Sequence, residues 1–321
     1  MMTKKKAAAV AIAGSAIVLN ILIFSACTTN EQPYLSRFLM CAAIDIMAVV
    51  CIFNLEELFR VPLEIYRDRS VFGTLVKNDF QAKFAGSYLG RFWAYVQRVI
   101  TILLYWFVFQ IGLRSGNVSA HPFILYLMAG LVPWFYFSEA LVGATGSLIE
   151  YSYLVKKVVF NVGFLPVLKV FSSMFVHLIF VLIVTVMSLI YGYGFDLYLL
   201  QIIYYILCLA FLVLGVSYIT AACTVFFRDM TQIVNIFLTI GIWLTPIMWN
   251  PQATMSDTMQ RLFELNPVYY IVDGYRDALL DKVWFWDKPE WSIYFWCFAI
   301  AVYLIGVKMF NRLKVHFSDV L

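Results

Sequence analysis

Charged side chains are scarce in this chain, and their scarcity excludes most kinds of soluble protein. Only 13% of the 321 residues are Asp, Glu, Lys or Arg, whereas 63% are hydrophobic. An ordinary soluble domain is about a quarter charged and about half apolar. The net charge of +4 is small, and the cations lie mostly between apolar runs. We therefore interpret the charge as a sign of membrane topology and not as a nucleic-acid-binding surface.

Motifs for catalysis and metal binding are also missing. No G-x-x-x-x-G-K-[ST] loop occurs, so the chain does not cradle ATP phosphates in the usual way, and any energy from ATP must come from a partner. H-E-x-x-H, D-x-D and nucleophile-elbow motifs are absent as well. The six cysteines have no C-x-x-C spacing, which argues against a zinc site. The sequence predicts a non-enzymatic chain without a metal or cofactor of its own.

What the chain has in quantity is long apolar runs. About eight of them are long enough to cross a bilayer. They are residues 7–29, 38–55, 93–113, 123–149, 167–191, 198–227, 233–249 and 291–310. The sequence therefore predicts an all-α polytopic membrane protein, in which Pro246 breaks the end of the seventh run.

The first two runs form a separate feature of the predicted architecture. With Lys4–Lys6 in the cytoplasm, they make an N-terminal membrane hairpin over residues 1–58, ahead of a main unit over residues 59–321. A cleaved signal peptide is the alternative for the first run. That run is longer than the ~7–15 residues of a signal core, so we favour a membrane anchor.

Residues 56–91 differ from the runs because cations are mixed with apolar side chains. The apolar positions recur at roughly helical spacing, although Asp79 and Lys83 interrupt them. This pattern predicts an amphipathic helix in the cytoplasmic interface of the membrane.

A short basic loop, residues 150–166 (EYSYLVKKVVFNVGFLP), connects the fourth and fifth runs. The positive-inside rule puts it in the cytoplasm. Because it is both apolar and cationic, it fits a short helix that docks into a groove of a cytoplasmic partner. A turn at the membrane surface with snorkelling lysines is the alternative. The candidate docking residues are Leu154, Val155, Lys156, Lys157, Val158, Val159 and Phe160.

Ionisable residues within apolar runs usually face a polar path or a partner, because burying a charge in a membrane is costly. Glu139 either lines a path or bonds a neighbouring helix. Arg98, near the inner end of its run, either snorkels or contacts an anionic lipid head group. His177 is interpreted as a hydrogen-bonded core residue.

Aromatic side chains make up 18% of the chain and are concentrated toward the predicted outer half. They fit an interfacial belt, but as a set they also offer flat faces and polar edges to sugars. Residues 268–280 are too short to span and predict an interfacial or re-entrant helix. Asp273, Asp277 and Asp281 lie on one face of it, which we interpret as solvated rather than metal-binding.

Seven strings in order resemble the membrane subunits of bacterial ABC exporters for lipid-linked polysaccharides, which export O-antigen, capsule and teichoic acid. They are 78–90 (NDFQAKFAGSYLG), 131–140 (LVPWFYFSEA), 154–160 (LVKKVVF), 226–229 (FFRD), 244–247 (LTPI), 266–276 (NPVYYIVDGYR) and 313–321 (LKVHFSDVL). The resemblance covers about four-fifths of the chain. It departs from the pattern at Arg98, where proline is common, at Asn161-Val162, and in the N-terminal hairpin.

The resemblance implies a homodimer in the bacterial cytoplasmic (inner) membrane, bound to two copies of a separate ATPase that holds ATP and Mg²⁺. Both termini would be cytoplasmic, and 154–160 would be the coupling helix. The substrate would be a glycan on a polyprenyl diphosphate lipid. Its head group would meet the cations Arg67, Lys77, Lys83 and Arg91. The glycan path would be lined by Arg98, Trp134, Tyr136, Glu139, Trp243, Tyr269 and Tyr270.

Two other functions remain open at this point. One is export of small lipophilic drugs on the same scaffold. The other is an integral membrane glycosyltransferase, which the lack of an acidic pair at catalytic spacing disfavours.

Overall fold

The computed structural model describes residues 2–26, 34–83, 90–113, 121–156, 161–251 and 255–321, and these residues form helices and connecting turns. The N-terminal part contains α1 (Met2–Ala26), α2 (Tyr34–Phe53), α3 (Leu55–Arg67) and α4 (Arg69–Ala82). The first two pack against each other, and Asn20 donates a 2.8 Å hydrogen bond to Asp45 between them. The predicted helical character of residues 56–91 is confirmed for 55–82, but the segment forms two helices that meet at Asp68, and α3 is the more strongly amphipathic of them.

The remaining helices form one bundle. Its long members are α5 (Trp93–Trp106, prolonged by a π-helix over Phe107–Gly112), α6 (Phe123–Glu150), α8 (Phe164–Ile190), α9 (Gln201–Phe226), α10 (Met230–Leu244) and α13 (Pro289–Leu313). The short ones are α7 (Ser152–Val155), α11 (Asp257–Glu264), α12 (Pro267–Arg276, prolonged by a π-helix over Asp277–Asp281) and α14 (Phe317–Val320).

The number of candidate membrane spans is lower than the sequence predicted. Five helical segments of the described chain are long and apolar enough, and they comprise α5, α6, α8, α9 and α13 with their extensions. A sixth is possible if α2 and α3, which meet at a 63° bend, count as one broken span. Each of the eight predicted runs contains a helix, and five or six of them meet this criterion in the described part of the chain. The seventh run contains a shorter apolar helix, because α10 ends at Leu244, two residues before Pro246, whereas α1 of the first run has 25 residues.

Helix α6 is the centre of the bundle, since it packs against α5, α8, α9, α10 and α12. Most of its side chains are buried, and Thr145 bonds Thr220 of α9 at 2.8 Å. The seam between α9 and α13 is close because both helices carry glycine there. A Cβ at Gly215 would lie 2.9 Å from Tyr303 Cα, so a side chain at that position would separate the helices.

The bundle has two ends with different contents. The α7 end contains α3, α4, α7, the start of α8 and the C-terminal turns of α13, joined in one apolar cluster around Phe72, Phe164 and Phe310. The α12 end contains α11, α12 and the start of α13, packed beside the N-terminal half of α6. Helix α6 connects these two ends.

Candidate functional site

A large cavity among the described residues lies between α5, α6 and α10, and we call it the central cavity. Its volume is about 830 Å³, and it opens widely to the surroundings. Four of the seven residues predicted for the glycan path line it: Arg98, Trp134, Glu139 and Trp243. Lys83, one of the four cations predicted for the head group, is also in its wall. The structure thus brings together residues that were predicted separately for the glycan path and for the lipid head group.

Three charged side chains meet in this cavity. The Glu139 carboxylate accepts hydrogen bonds from Lys83, just after α4, and from Arg98 of α5. Arg98 also donates to the Ala94 carbonyl at 2.8 Å and lies over the Phe180 ring. Two cations against one carboxylate leave a formal surplus of +1. Glu139 therefore lines the cavity and bonds neighbouring elements at the same time, so the two alternatives from the sequence are not exclusive.

The other predicted path and head-group residues lie elsewhere. Tyr136 is 1% exposed, is not in the cavity wall, and donates to the Val170 carbonyl at 3.2 Å. Arg67 is exposed and pairs with its neighbour Asp68, and Lys77 is exposed on α4. The side chain of Arg91 lies outside the described residues. Tyr269 and Tyr270 line a second cavity, at the α12 end.

A buried lysine organises the α7 end, and the sequence reasoning did not single it out. Lys169 of α8 is 5% exposed and pairs with Asp79 of α4, whose side chain is 1% exposed, at 2.7 Å. It also pairs with Glu150 at 2.7 Å. Burial by itself raises the pKa of Asp79, but hydrogen bonds from Lys169 and Tyr151 outweigh that effect and hold the pKa below its usual value. A lysine within an apolar run was the available signal.

The predicted docking segment is described only in part. Lys157, Val158, Val159 and Phe160 lie outside the described residues. Leu154 is half-buried and Lys156 is exposed. Val155 is 7% exposed because it packs into the apolar cluster of the α7 end, so the prediction that it seats in a partner is wrong. Tyr153 is 59% exposed, so it is the aromatic side chain of α7 that is accessible on the surface.

Both flanks of this segment are bonded to the amphipathic helices. Before it, the Tyr151 hydroxyl donates to Asp79 of α4 at 2.6 Å. After it, the Asn161 amide donates to Glu64 of α3 at 2.7 Å. Asp79 is one helical turn before Lys83, whose backbone N–H bonds the Asp79 carbonyl at 3.1 Å. A short chain of contacts therefore connects the segment to the central cavity.

At the α12 end, hydrogen bonds join two of the strings named in the sequence analysis, 244–247 and 266–276. Arg276, which is 3% exposed, donates to the carbonyls of Pro246 and Ile247 at 2.8 and 3.0 Å. It also lies 3.6 Å above the Tyr126 ring. Asn266 caps α12 and donates to Thr245 at 2.9 Å. The two Arg276 bonds use backbone carbonyls that are freed where α10 stops, so residues 245–247 are held in place although they are not helical.

The second cavity, the α12 cavity, has a volume of about 130 Å³ and lies between α9, α11, α12 and the start of α13. Lys288 bridges Asp273 and Asp277 there at 2.8 and 2.6 Å. Asp277 is 3% exposed, so the prediction of a solvated carboxylate face is wrong for that residue. Asp281 points elsewhere and pairs with His121. No group of three potential metal ligands was found among the residues described.

His177 meets the prediction of a hydrogen-bonded core residue. It is 3% exposed, its Nε2 atom lies 3.0 Å from the Tyr275 hydroxyl, and its ring stacks on Tyr136.

Comparison with known proteins agrees with this architecture. The family model for ABC-2 type transporters matches residues 70–280. The O-antigen export system permease protein RfbA of Myxococcus xanthus is 27% identical over 221 residues, which are 68% of this chain and 84% of the relative. A Klebsiella pneumoniae protein of the same name is 23% identical over 256 residues, 77% of this chain and 93% of the relative. Since the family match covers more than half of the sequence, the chain belongs to the ABC-2 type transporter family.

Proposed function

We propose that this chain is the transmembrane subunit of an exporter that moves a polysaccharide, carried on a polyprenyl diphosphate lipid, out across the bacterial cytoplasmic membrane. The observation that carries the proposal is the central cavity, where Lys83 and Arg98 lie beside Trp134 and Trp243. The names of the relatives, which are O-antigen export permeases, support the same substrate class. Both termini and the α7 end would be cytoplasmic, and the α12 end would be external.

The head group would bind by exchanging partners with Glu139. Without substrate, that carboxylate neutralises much of the charge of Lys83 and Arg98. A diphosphate brings more negative charge and more acceptor oxygens than one carboxylate, and arginine is well suited to bind phosphate oxygens in pairs. Glu139 would then be released. A site whose positive charge is partly neutralised when empty is less costly to keep in a membrane, which makes binding and release reversible.

A second copy of this chain would close the cavity. Helices α5 and α10 form its walls, yet both are largely exposed: Leu103, Phe237 and Trp243 are 53%, 71% and 53% exposed. The open side of an 830 Å³ cavity between two such helices would become a channel if a symmetric copy packed on them. A channel that grips successive sugars weakly suits a polymer.

Energy would come from a separate ATP-binding subunit that docks on α7 and residues 156–160. Tyr153 and Lys156 are the exposed members of the described part, so they would contact the partner. Movement of the segment would pull on Asp79 and Glu64 through Tyr151 and Asn161, and α4 would carry that displacement to Lys83. The release of Lys83 from Glu139 would thereby be linked to ATP hydrolysis.

A deletion strain tests the substrate class. Cells without this protein should accumulate lipid-linked glycan at the cytoplasmic face and lose it from the surface, and the wild-type gene should restore both. Topology is tested in parallel with an impermeant thiol reagent on single-cysteine variants. A cysteine at position 156 should be labelled only after the membrane is opened, and labelling from outside would contradict the arrangement.

Export of small lipophilic molecules is the second candidate, and one observation favours it. A cavity of about 330 Å³ between α6, α9 and α10 is almost wholly apolar and includes Phe137, Leu212 and Phe237. Its size suits a drug-like molecule. Normal surface polysaccharide in the deletion strain, together with new drug sensitivity, would move the assignment to this function.

A further inference from the structure

The α12 cavity has no role in the lipid head-group chemistry described above. It shares no lining residue with the central cavity and lies at the other end of the bundle. Its wall combines aromatic rings, Tyr269, Tyr270 and Trp291, with the charged groups Glu264, Asp273 and Lys288.

Two of these side chains carry polar groups that make no hydrogen bond to other described residues. Tyr269 is 9% exposed, lines the cavity, and its hydroxyl makes no hydrogen bond with any residue that the structure describes. The Glu264 carboxylate likewise has no hydrogen-bond partner within the described part of the chain. Most of Tyr269 is buried, but its hydroxyl opens onto the cavity. A ligand in the cavity could therefore supply the hydrogen bond that no neighbouring side chain provides.

The groups behind them are held rigidly. The Tyr270 hydroxyl lies 2.9 Å from Ser292 and 3.2 Å from Tyr204, and the Tyr270 ring stacks on Phe295. Gly274 lets the Tyr205 ring of α9 lie directly on α12, where a Cβ would overlap it. A fixed wall with free polar groups at its front loses little entropy when it binds a ligand.

The size and charge of the cavity restrict what that ligand can be. Its volume of about 130 Å³ is about ten times what a single water requires, which suits a compact molecule of about a dozen non-hydrogen atoms, such as one sugar ring. Three carboxylates face one ammonium group there. Burial raises the pKa of Asp277 to about 7, so Glu264 and Asp273 carry most of the negative charge near neutral pH. An acidic or phosphorylated sugar would be repelled, whereas hydroxyl groups could donate to the carboxylates.

We propose that the α12 cavity binds one neutral sugar residue of the exported glycan on the external side, with the ring against Trp291 and its hydroxyls on Glu264 and Tyr269. This inference rests on the proposed function. It adds a substrate preference, because glycans rich in uronic acid or phosphate would lack this contact. Aromatic faces paired with carboxylates are well suited to the alternating apolar and hydroxyl surfaces of a sugar.

Saturation-transfer NMR on the full-length protein in lipid nanodiscs tests this. The probes are maltotriose, which is neutral, and trigalacturonic acid, which is acidic and of equal length. Maltotriose should bind the wild type, and trigalacturonic acid should bind at least fivefold more weakly. Trp291→Ala and Glu264→Gln should each weaken maltotriose at least fivefold. Trp286→Ala is the matched control, since Trp286 is 54% exposed and stacks on Trp284 outside this cavity.

Tyr269→Phe guards against a folding defect, because it keeps the ring and removes only the unpaired hydroxyl. We expect at least a twofold loss of maltotriose affinity with an unchanged amount of protein in the membrane. The inference is overturned if the wild type does not bind maltotriose, if the acidic probe binds as tightly, or if the three cavity variants behave like the control. A deletion strain that loses surface glycan while these variants bind normally would overturn this inference and leave the proposed function standing.

Discussion

The two ends of the bundle are stabilised by different interactions. At the α7 end, ion pairs join helices that are far apart in sequence: Lys169 joins α8 to Asp79 of α4, and Glu139 of α6 joins Lys83 and Arg98. At the α12 end, Arg276 and Asn266 bond a non-helical turn, and aromatic rings pack around them. Of the ion pairs there, Lys288 with Asp273 and Asp277 stays within residues 273–288. The pairs Asp281–His121 and Lys282–Asp196 lie at its rim, where Asp281 and Asp196 are exposed.

The difference has a mechanical meaning. An ion-pair partner can be replaced by a charged ligand, or lost and regained as helices move. Hydrogen bonds to backbone carbonyls and close ring packing cannot be exchanged in that way. The α7 end is therefore suited to rearrangement with substrate and ATP, and the α12 end to holding a fixed shape. The variants below test this contrast, from the largest expected effect to the smallest.

Removal of Lys169 should have the largest effect on stability. Lys169→Met leaves Asp79 buried without its cation, and breaking a buried pair costs about 3–5 kcal/mol. Thermal unfolding of the detergent-purified protein measures this. Lys77→Met, an exposed lysine of α4, is the control and should be near neutral. The double variant Lys169→Met/Asp79→Asn should recover much of the loss. An unchanged melting temperature for Lys169→Met would refute the ion-pair account of the α7 end.

Overpacking should damage the α12 end because it is rigid. In Gly274→Ala the new methyl group meets the buried Tyr205 ring, and forcing extra volume into a packed core costs about 1–3 kcal/mol. The control is Gly146→Ala in α6, where no heavy atom lies within 4 Å of the added carbon. That change should be neutral or stabilising. If both variants unfold at the same temperature, the α12 end accommodates extra volume and is less rigid than we infer.

Loss of Lys288 should have a smaller effect that depends on pH. In the folded protein the pKa of Asp277 is raised to about 7, so the proton is bound more tightly than in the unfolded chain, and wild-type stability falls as pH rises from about 4 to about 7. In Lys288→Met, Asp277 is protonated and neutral at pH 5, so the loss of the ammonium group matters little there. At pH 8, Asp277 is ionised and lacks that cation. We expect a cost of about 1 kcal/mol at pH 8 and less at pH 5. The exposed Lys308→Met is the control. A cost that is larger at pH 5 would contradict the assignment.

Single aromatic truncations should have the smallest effect on transport. If many weak contacts grip the glycan, then Trp134→Ala or Tyr270→Ala should reduce surface glycan by less than deletion does. Quantitative lectin binding to intact cells measures this. Complete loss of surface glycan in either variant, with normal protein in the membrane, would mean that one contact dominates the path.

The sequence was informative where a single charged residue interrupts an apolar run. Glu139 and Arg98 stand out in apolar runs, and the structure brings them together. Lys169 carries the same signal but was passed over. The long apolar runs predicted the all-α membrane fold, and the spacing in residues 56–91 predicted one helix, which the structure divides into α3 and α4.

What the sequence could not provide was which faces are covered. The spacing of Asp273, Asp277 and Asp281 indicated a solvated face, since periodicity does not reveal that α9 and α13 enclose α12. Val155 fitted a docking residue for the same reason, because an apolar side chain beside lysines can point outward or inward.

Head-group binding by Lys83 and Arg98 in the central cavity is the central claim, and one comparison tests it most directly. The triple variant Lys83→Met/Arg98→Met/Glu139→Gln removes all three charges and leaves none unpaired, while Glu139→Gln alone frees both cations. Surface glycan and cytoplasmic lipid-linked glycan are measured in the complemented deletion strain. We predict that the triple variant, at normal membrane levels, accumulates lipid-linked glycan and displays little outside, whereas Glu139→Gln still exports. Full export by the triple variant would contradict the claim that these cations receive the head group.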